Sequence, residues 1–238
     1  MSFELTDESR VVDGVTLYRI RATAARPHLG VKVGDLGGWV ESAEVYGYPR
    51  IGRNAWVFDS ARVYGTAQVL GNARVFGLAQ VLGNALVSGN ARVFGNALVM
   101  GGAQVFDSVR VYGNARVYGN ALVYGNAWVF DNSQVFGDAE VFGNARVYGN
   151  ARVSHIGHVQ TVGAIGSESV TVTLFRTKTG HALAVGCWSG TLDSLAAEVE
   201  ARAGGWNASD ELKAAWRAQY AALEALGRAT VASWGAVE

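Results

Sequence analysis

Between Trp39 and Ile165 one six-residue unit, V-x-G-N-A-x, recurs almost without interruption. It is plainest over residues 111–116 and 117–122. An aliphatic residue stands at every sixth position from Val45 to Ile165, which makes 21 repeats with no slip of register. Self-similarity at a fixed short period marks a solenoid, whose units bury their apolar faces only by stacking on one another. The positions have separable jobs. The valine and the residue two before it share one side of a short strand. That earlier residue is nearly always alanine, as at Ala61, Ala73, Ala85, Ala97, Ala115 and Ala127. Only a small partner fits beside valine in so narrow an interior. Gly-Asn then turns the corner, because glycine takes positive φ freely and asparagine tolerates it. Valine burial, at about 1.5–3 kcal/mol each, is the main stabilising contribution.

The flanks differ. Residues 1–38 read as a β-rich N-terminal cap, with a strand over 15–20 after the Asp13-Gly14 turn. Residues 39–165 form the repeat region, and 166–238 a C-terminal unit. There, 170–175 and 181–187 read as a hairpin turning at Thr179-Gly180. Thr191 is expected to cap a helix to about Ala203, and Asn207 or Ser209 a longer one to about Ala232. The apolar stripe of the longer helix is Leu212, Trp216, Tyr220, Leu223 and Leu226. Both flanks answer one need: a solenoid ends in open strand edges that would recruit other chains unless covered.

The hexad resembles the hexapeptide repeat of left-handed parallel β-helices. The resemblance implies an all-β solenoid of about seven triangular coils, 18 residues each, roughly 30 Å long at about 4.8 Å per strand. Handedness comes from the resemblance alone; a right-handed solenoid is the alternative. The segments 14–22 and 32–42, with 186–193, also resemble a family of phage and prophage hexapeptide-repeat proteins labelled YdcK-like or polymer-forming cytoskeletal. That resemblance covers the whole chain and implies no catalytic residue.

Twenty basic and 20 acidic residues cancel, so no global field favours nucleic acid or membrane. The region 39–165 holds nine arginines, no lysine and seven acids, a balance that disfavours long nucleic acid, whose binding rests on phosphate neutralisation. The single Cys187 fits a reducing compartment. With no signal-peptide pattern and no long apolar run, the expected location is cytoplasmic, or the host cytoplasm if phage-encoded.

Hexapeptide-repeat acyltransferases are the nearest enzymatic reading. They need a histidine base beside a groove, often near an extruded loop. Here the repeats show no insertion. The four histidines, His28, His155, His158 and His181, all lie outside the central coils. His155 reads as a turn residue and His158 as outward-pointing. No catalytic residue, cofactor or metal site is expected: His155 and His158 lack a third ligand. Asp59, Asp107, Asp131 and Asp138 replace glycine or asparagine at corners, where aspartate is an ordinary turn residue.

The outside of the solenoid carries the functional expectation. Positions 18 apart stack, so the residue after each valine gives three columns. One is unbroken: Phe58, Phe76, Phe94, Tyr112, Phe130, Tyr148. On the same face the residue before each valine reads Trp56, Arg74, Arg92, Arg110, Trp128, Arg146. Continuous apolar surface marks an interface, and arginine and tryptophan are enriched at hot spots. Three uses compete: self-association as a dimer or trimer, or packing under the C-terminal helices; recognition of a small nucleotide-like anion by arginine pairing and aromatic stacking; and binding of carbohydrate or a host protein. The expected function is a non-enzymatic binding or assembly module. In a phage it would serve counter-defence, sequestering a nucleotide signal or masking a host protein. The stacked Arg74, Arg92 and Arg110 should be neutralised by a tail carboxylate (Glu198, Glu200 or Glu211), a neighbouring subunit or a ligand phosphate.

Overall fold

A computed structural model describes residues 2–236. The hexads form seventeen two-residue strands, β6 (Trp56–Val57) to β22 (Arg152–Val153), one every six residues. Each pairs in parallel with the strand 18 residues on, as in Val75 with Val93 and Val93 with Val111. Three faces result, with strands at 62, 80, 98, 116, 134 and 152 on the first, at 68, 86, 104, 122 and 140 on the second, and at 56, 74, 92, 110, 128 and 146 on the third. That is a parallel β-solenoid of five complete turns, with two strands of a sixth. The valines and alanines of the hexad fill the interior and are fully buried from Val57 to Val153. Ser133 stands in the alanine column, and its buried hydroxyl meets no partner among the described residues.

The corners explain the glycines. Gly89 lies at φ +66, and a Cβ there would sit 2.7 Å from the Asp107 nitrogen of the next coil. Asp59, Asp107 and Asp131 take the same left-handed conformation without glycine's freedom. Their carboxylates accept from the backbone N–H of Gly77, Gly125 and Gly149, one coil on, so the corner aspartates bond coil to coil. Asparagines do likewise, as Asn96 donates to Asn114 and Asn114 to Asn132 at 3.0 Å.

The solenoid is shorter than the sequence period. At its start, Val40 rather than Val45 fills the interior slot: β3 (Leu36–Val40) pairs with the first face through Val40 and Val63. Residues between Val40 and Ile51 then contain five more than one hexad needs. The excess forms an antiparallel hairpin, β4 (Glu44–Val45) and β5 (Tyr48–Pro49). It holds Tyr46 84 % and Tyr48 69 % exposed. The expectation of 21 uninterrupted repeats without an extruded loop is corrected here. The period could not reveal the slip, because a valine falls by coincidence at position 45. At the other end Val159 and Ile165 lie in β23 (Val159–Ile165), which pairs antiparallel with β24 (Val170–Thr177), not in a seventh coil.

Both ends are sealed by side chains that replace a missing coil. At the top, β3 joins the first face in parallel, and β2 (Val15–Ala22) and then β1 (Phe3–Val12) continue it as antiparallel strands. Tyr64 donates to Asp13 at 3.0 Å. Burial, then that bond, pushes its phenol up to about 12. Arg50, only 2 % exposed, donates to the carbonyls of Gly65 and Ala67. Those carbonyls would have received the backbone N–H groups of a preceding coil. At the bottom, the Arg146 N–H donates to the Thr173 hydroxyl, and the Lys178 N–H to Asn150 O. The four-stranded sheet is completed by β25 (Gly180–Val185) and β26 (Trp188–Gly190), and packs against α1 (Leu192–Ala203) and α2 (Asp210–Ser233). Thr191 and Ser209 cap the two helices. Only part of the expected α2 stripe is covered: Tyr220 and Leu223 are buried, whereas Leu212 and Leu226 stay exposed.

Candidate functional site

The third face brings together most of the twelve residues singled out from the sequence. Trp56, Arg74, Arg92, Arg110, Trp128 and Arg146 pair strand to strand in that order. The aromatic column is a continuous stack. Phe76–Phe94, Phe94–Tyr112, Tyr112–Phe130 and Phe130–Tyr148 have centroids 4.6, 4.8, 4.9 and 4.9 Å apart. Its planes are almost parallel down to Phe130. Below, Tyr148 meets the buried Phe175 of the C-terminal sheet at 5.3 Å. Burial raises the Tyr112 phenol, against nearby Arg110 and Arg146 that lower it.

Two ends of the face are covered. Trp56 is 1 % exposed and lies beneath the guanidinium of buried Arg26, 4.2 Å away. Phe58 packs on the solenoid core. Trp56 thus belongs to the seal of the top coil and is removed from the candidate surface. Sequence could not show this, since Arg26 comes from a turn thirty residues earlier.

The stack also changes what the aromatics can do. The faces of Phe94, Tyr112 and Phe130 are occupied by the rings above and below, and only their edges point outward. Trp128 is similarly engaged: Arg110 lies 4.6 Å and Arg146 5.4 Å from its ring centroid, with Tyr112 edge-on. From Phe94 to Phe130 no ring face is left for a flat ligand, so stacking of a nucleobase on that stretch is not supported.

Two of the arginines also meet backbone carbonyls: Arg146 donates to that of Gly186 at 3.2 Å, and Arg74 to that of His28 at 3.3 Å. Among the described residues no carboxylate lies within 4 Å of Arg74, Arg92, Arg110 or Arg146. The expected tail partners are used elsewhere: Glu198 pairs with Arg202 and Glu200 with Arg217, and Glu211 lies in the first turn of α2. The helices also leave the face uncovered, so packing of the aromatic column beneath them is corrected.

The histidines hold structural contacts. His158 is fully buried, not outward-pointing, with its Nδ1 accepting from the Ser154 N–H and its Nε2 beside Arg176. His155 accepts from Gly157 N–H, His28 meets Asn54 O, and His181 accepts the Leu192 N–H at the start of α1. Burial lowers the His181 pKa.

The family described as YdcK β-solenoid repeat matches residues 109–125, 115–131 and 139–159. The shaft is similar to the YdcK β-solenoid. The matched segments lie in the second half of the shaft and carry Arg110, Trp128 and Arg146. No curated protein matches the chain. No helix among the described residues is long and apolar enough to cross a membrane.

Proposed function

We propose that this chain is a non-enzymatic binding and assembly module whose third face recognises an anionic partner. The observation that carries the reading is the row Arg74, Arg92, Arg110, in register and without a carboxylate among the described residues. Strands about 4.8 Å apart hold like charges close, and such a row is most stable with an anion on it. We read the solenoid as left-handed, of the hexapeptide-repeat kind seen in phage proteins, from the resemblance of its hexad to that repeat. Its setting would then be the cytoplasm. In a phage the module would sequester an anionic signal or mask a host protein.

Assembly is a second part of the reading. The ring edges of Phe76, Phe94, Tyr112 and Phe130 are half-exposed along one line, which suits a second copy packing alongside as a dimer or trimer. Support for a non-enzymatic role comes from the four histidines, whose rings are engaged in turns and caps. An acyltransferase is the competing class, and acetyl-CoA turnover lost in His155→Ala or His158→Ala would establish it.

The test is thermal melting of wild type and Arg92→Gln/Arg110→Gln with a panel of nucleotides and other polyanions. A ligand-induced rise in wild type that the variant lacks supports the reading. A panel that moves neither protein overturns it.

A further inference from the structure

Two clefts lie along the corner where the second face turns into the third. The upper one, of about 420 Å³, is lined by His28, Asn72, Arg74, Asn90, Arg92 and Ser108. Three coils below, a second cleft of about 300 Å³ is lined by Asn126, Trp128, Asn144, Arg146 and the edge of the C-terminal sheet. The same hexad positions build both. Asn72 donates to Asn90 at 3.0 Å and Asn126 to Asn144 at 3.4 Å. In each pair the acceptor's own amide NH2, on the exposed Asn90 and Asn144, has no acceptor among the described residues. Neither cleft is lined by a carboxylate. From Asn72 to Asn144 is four coil steps, about 19 Å at roughly 4.8 Å per step.

We infer that these two clefts bind one linear acidic polysaccharide lying along the corner, with its carboxylates on Arg74, Arg92 and Arg146 and its hydroxyls on the asparagine pairs. The inference rests on the anionic-partner reading above and names the partner's class. Three observations favour a sugar acid over a nucleic acid. Phe94, Tyr112 and Phe130 are each stacked on both faces, so base stacking, a main source of single-strand affinity, is missing along the middle of the face. Charge is sparse, with Trp128 interrupting the arginines, whereas phosphodiester binding rises with the number of phosphates neutralised. The asparagines lining the clefts supply amide donors and acceptors in pairs, and hydroxyls can serve both, whereas phosphate oxygens only accept. Guanidinium pairing with carboxylate provides the charged contacts.

Calorimetric titration of the full chain with hyaluronan oligosaccharides tests this, beside neutral maltooligosaccharides, oligo-dT and polyphosphate. Binding of hyaluronan is expected, with no binding of the neutral sugar. It should weaken about tenfold or more in Arg92→Gln and in Asn90→Ala, and stay unchanged in Arg116→Gln on the first face. Melting curves confirm that each variant is folded. Equal weakening by Arg116→Gln would reduce the effect to general charge and overturn the site. Tighter, Arg92-dependent binding of oligo-dT or polyphosphate would overturn the polysaccharide class and leave the anionic reading standing. Failure of every acidic probe to depend on Arg92 would overturn both.

Discussion

Arg92 lies in register beside Arg110 on the neighbouring strand of the third face. Charges on adjacent strands repel by about 1 kcal/mol in water-like surroundings, less when screened. Since no carboxylate among the described residues offsets them, Arg92→Gln/Arg110→Gln should raise the melting temperature of the ligand-free protein at low salt. The gain should be about 0.5 kcal/mol and fade as salt is added. Melts at two ionic strengths measure it; a lower melting point at low salt would point to a carboxylate partner from a second subunit.

Arg50 seals the top coil by donating to Gly65 O and Ala67 O, both at the open edge. Arg50→Met keeps the apolar stem and removes the donors. Stranding two carbonyls should cost about 2–4 kcal/mol and speed amide exchange around residues 64–70, while the lower coils stay protected, as nearest-neighbour stacking allows.

Two glycines separate backbone strain from collision. Gly89 and Gly143 both have positive φ, but a Cβ on Gly89 meets the next coil, whereas one on Gly143 meets nothing within 4 Å. Gly143→Ala should cost about 1 kcal/mol, the conformational part alone. Gly89→Ala should cost at least about 1 kcal/mol more. Chemical denaturation of both variants gives the difference directly.

His181 accepts the Leu192 N–H at the start of α1 and must be neutral to do so. Burial lowers its pKa, with Asp193 raising it and Arg228 lowering it in smaller measure. The unfolded chain therefore binds the proton first. The associated stability is complete above the unfolded value of about 6.5, and is lost as pH falls through that value toward the lowered folded one. Melting the protein at pH 7.5 and 5.5, on the order of one unit either side, should show the loss, and His181→Gln should flatten it.

Much of this was legible in the hexad. Period six fixes the strands, and its threefold multiple fixes which side chains stack, so Arg74, Arg92 and Arg110 could be aligned from sequence. What escaped depends on contacts between distant segments. Arg26 covering Trp56 and Arg50 replacing backbone donors leave no periodic trace. The hairpin at Tyr46 was hidden because Val45 mimics the interior valine that Val40 supplies. His158 looked outward by phase, yet the chain leaves the solenoid after Val153 and turns its ring inward. Stacking of the aromatics was visible as a column, but its consequence, that ring faces shield one another, needs the distances.

The most direct measurement is native mass spectrometry of the full chain purified from its host, wild type beside Arg92→Gln/Arg110→Gln. The account predicts a subunit multiple greater than one, and a non-covalent acidic component on wild type that the variant lacks. Bare monomers from both proteins would contradict it.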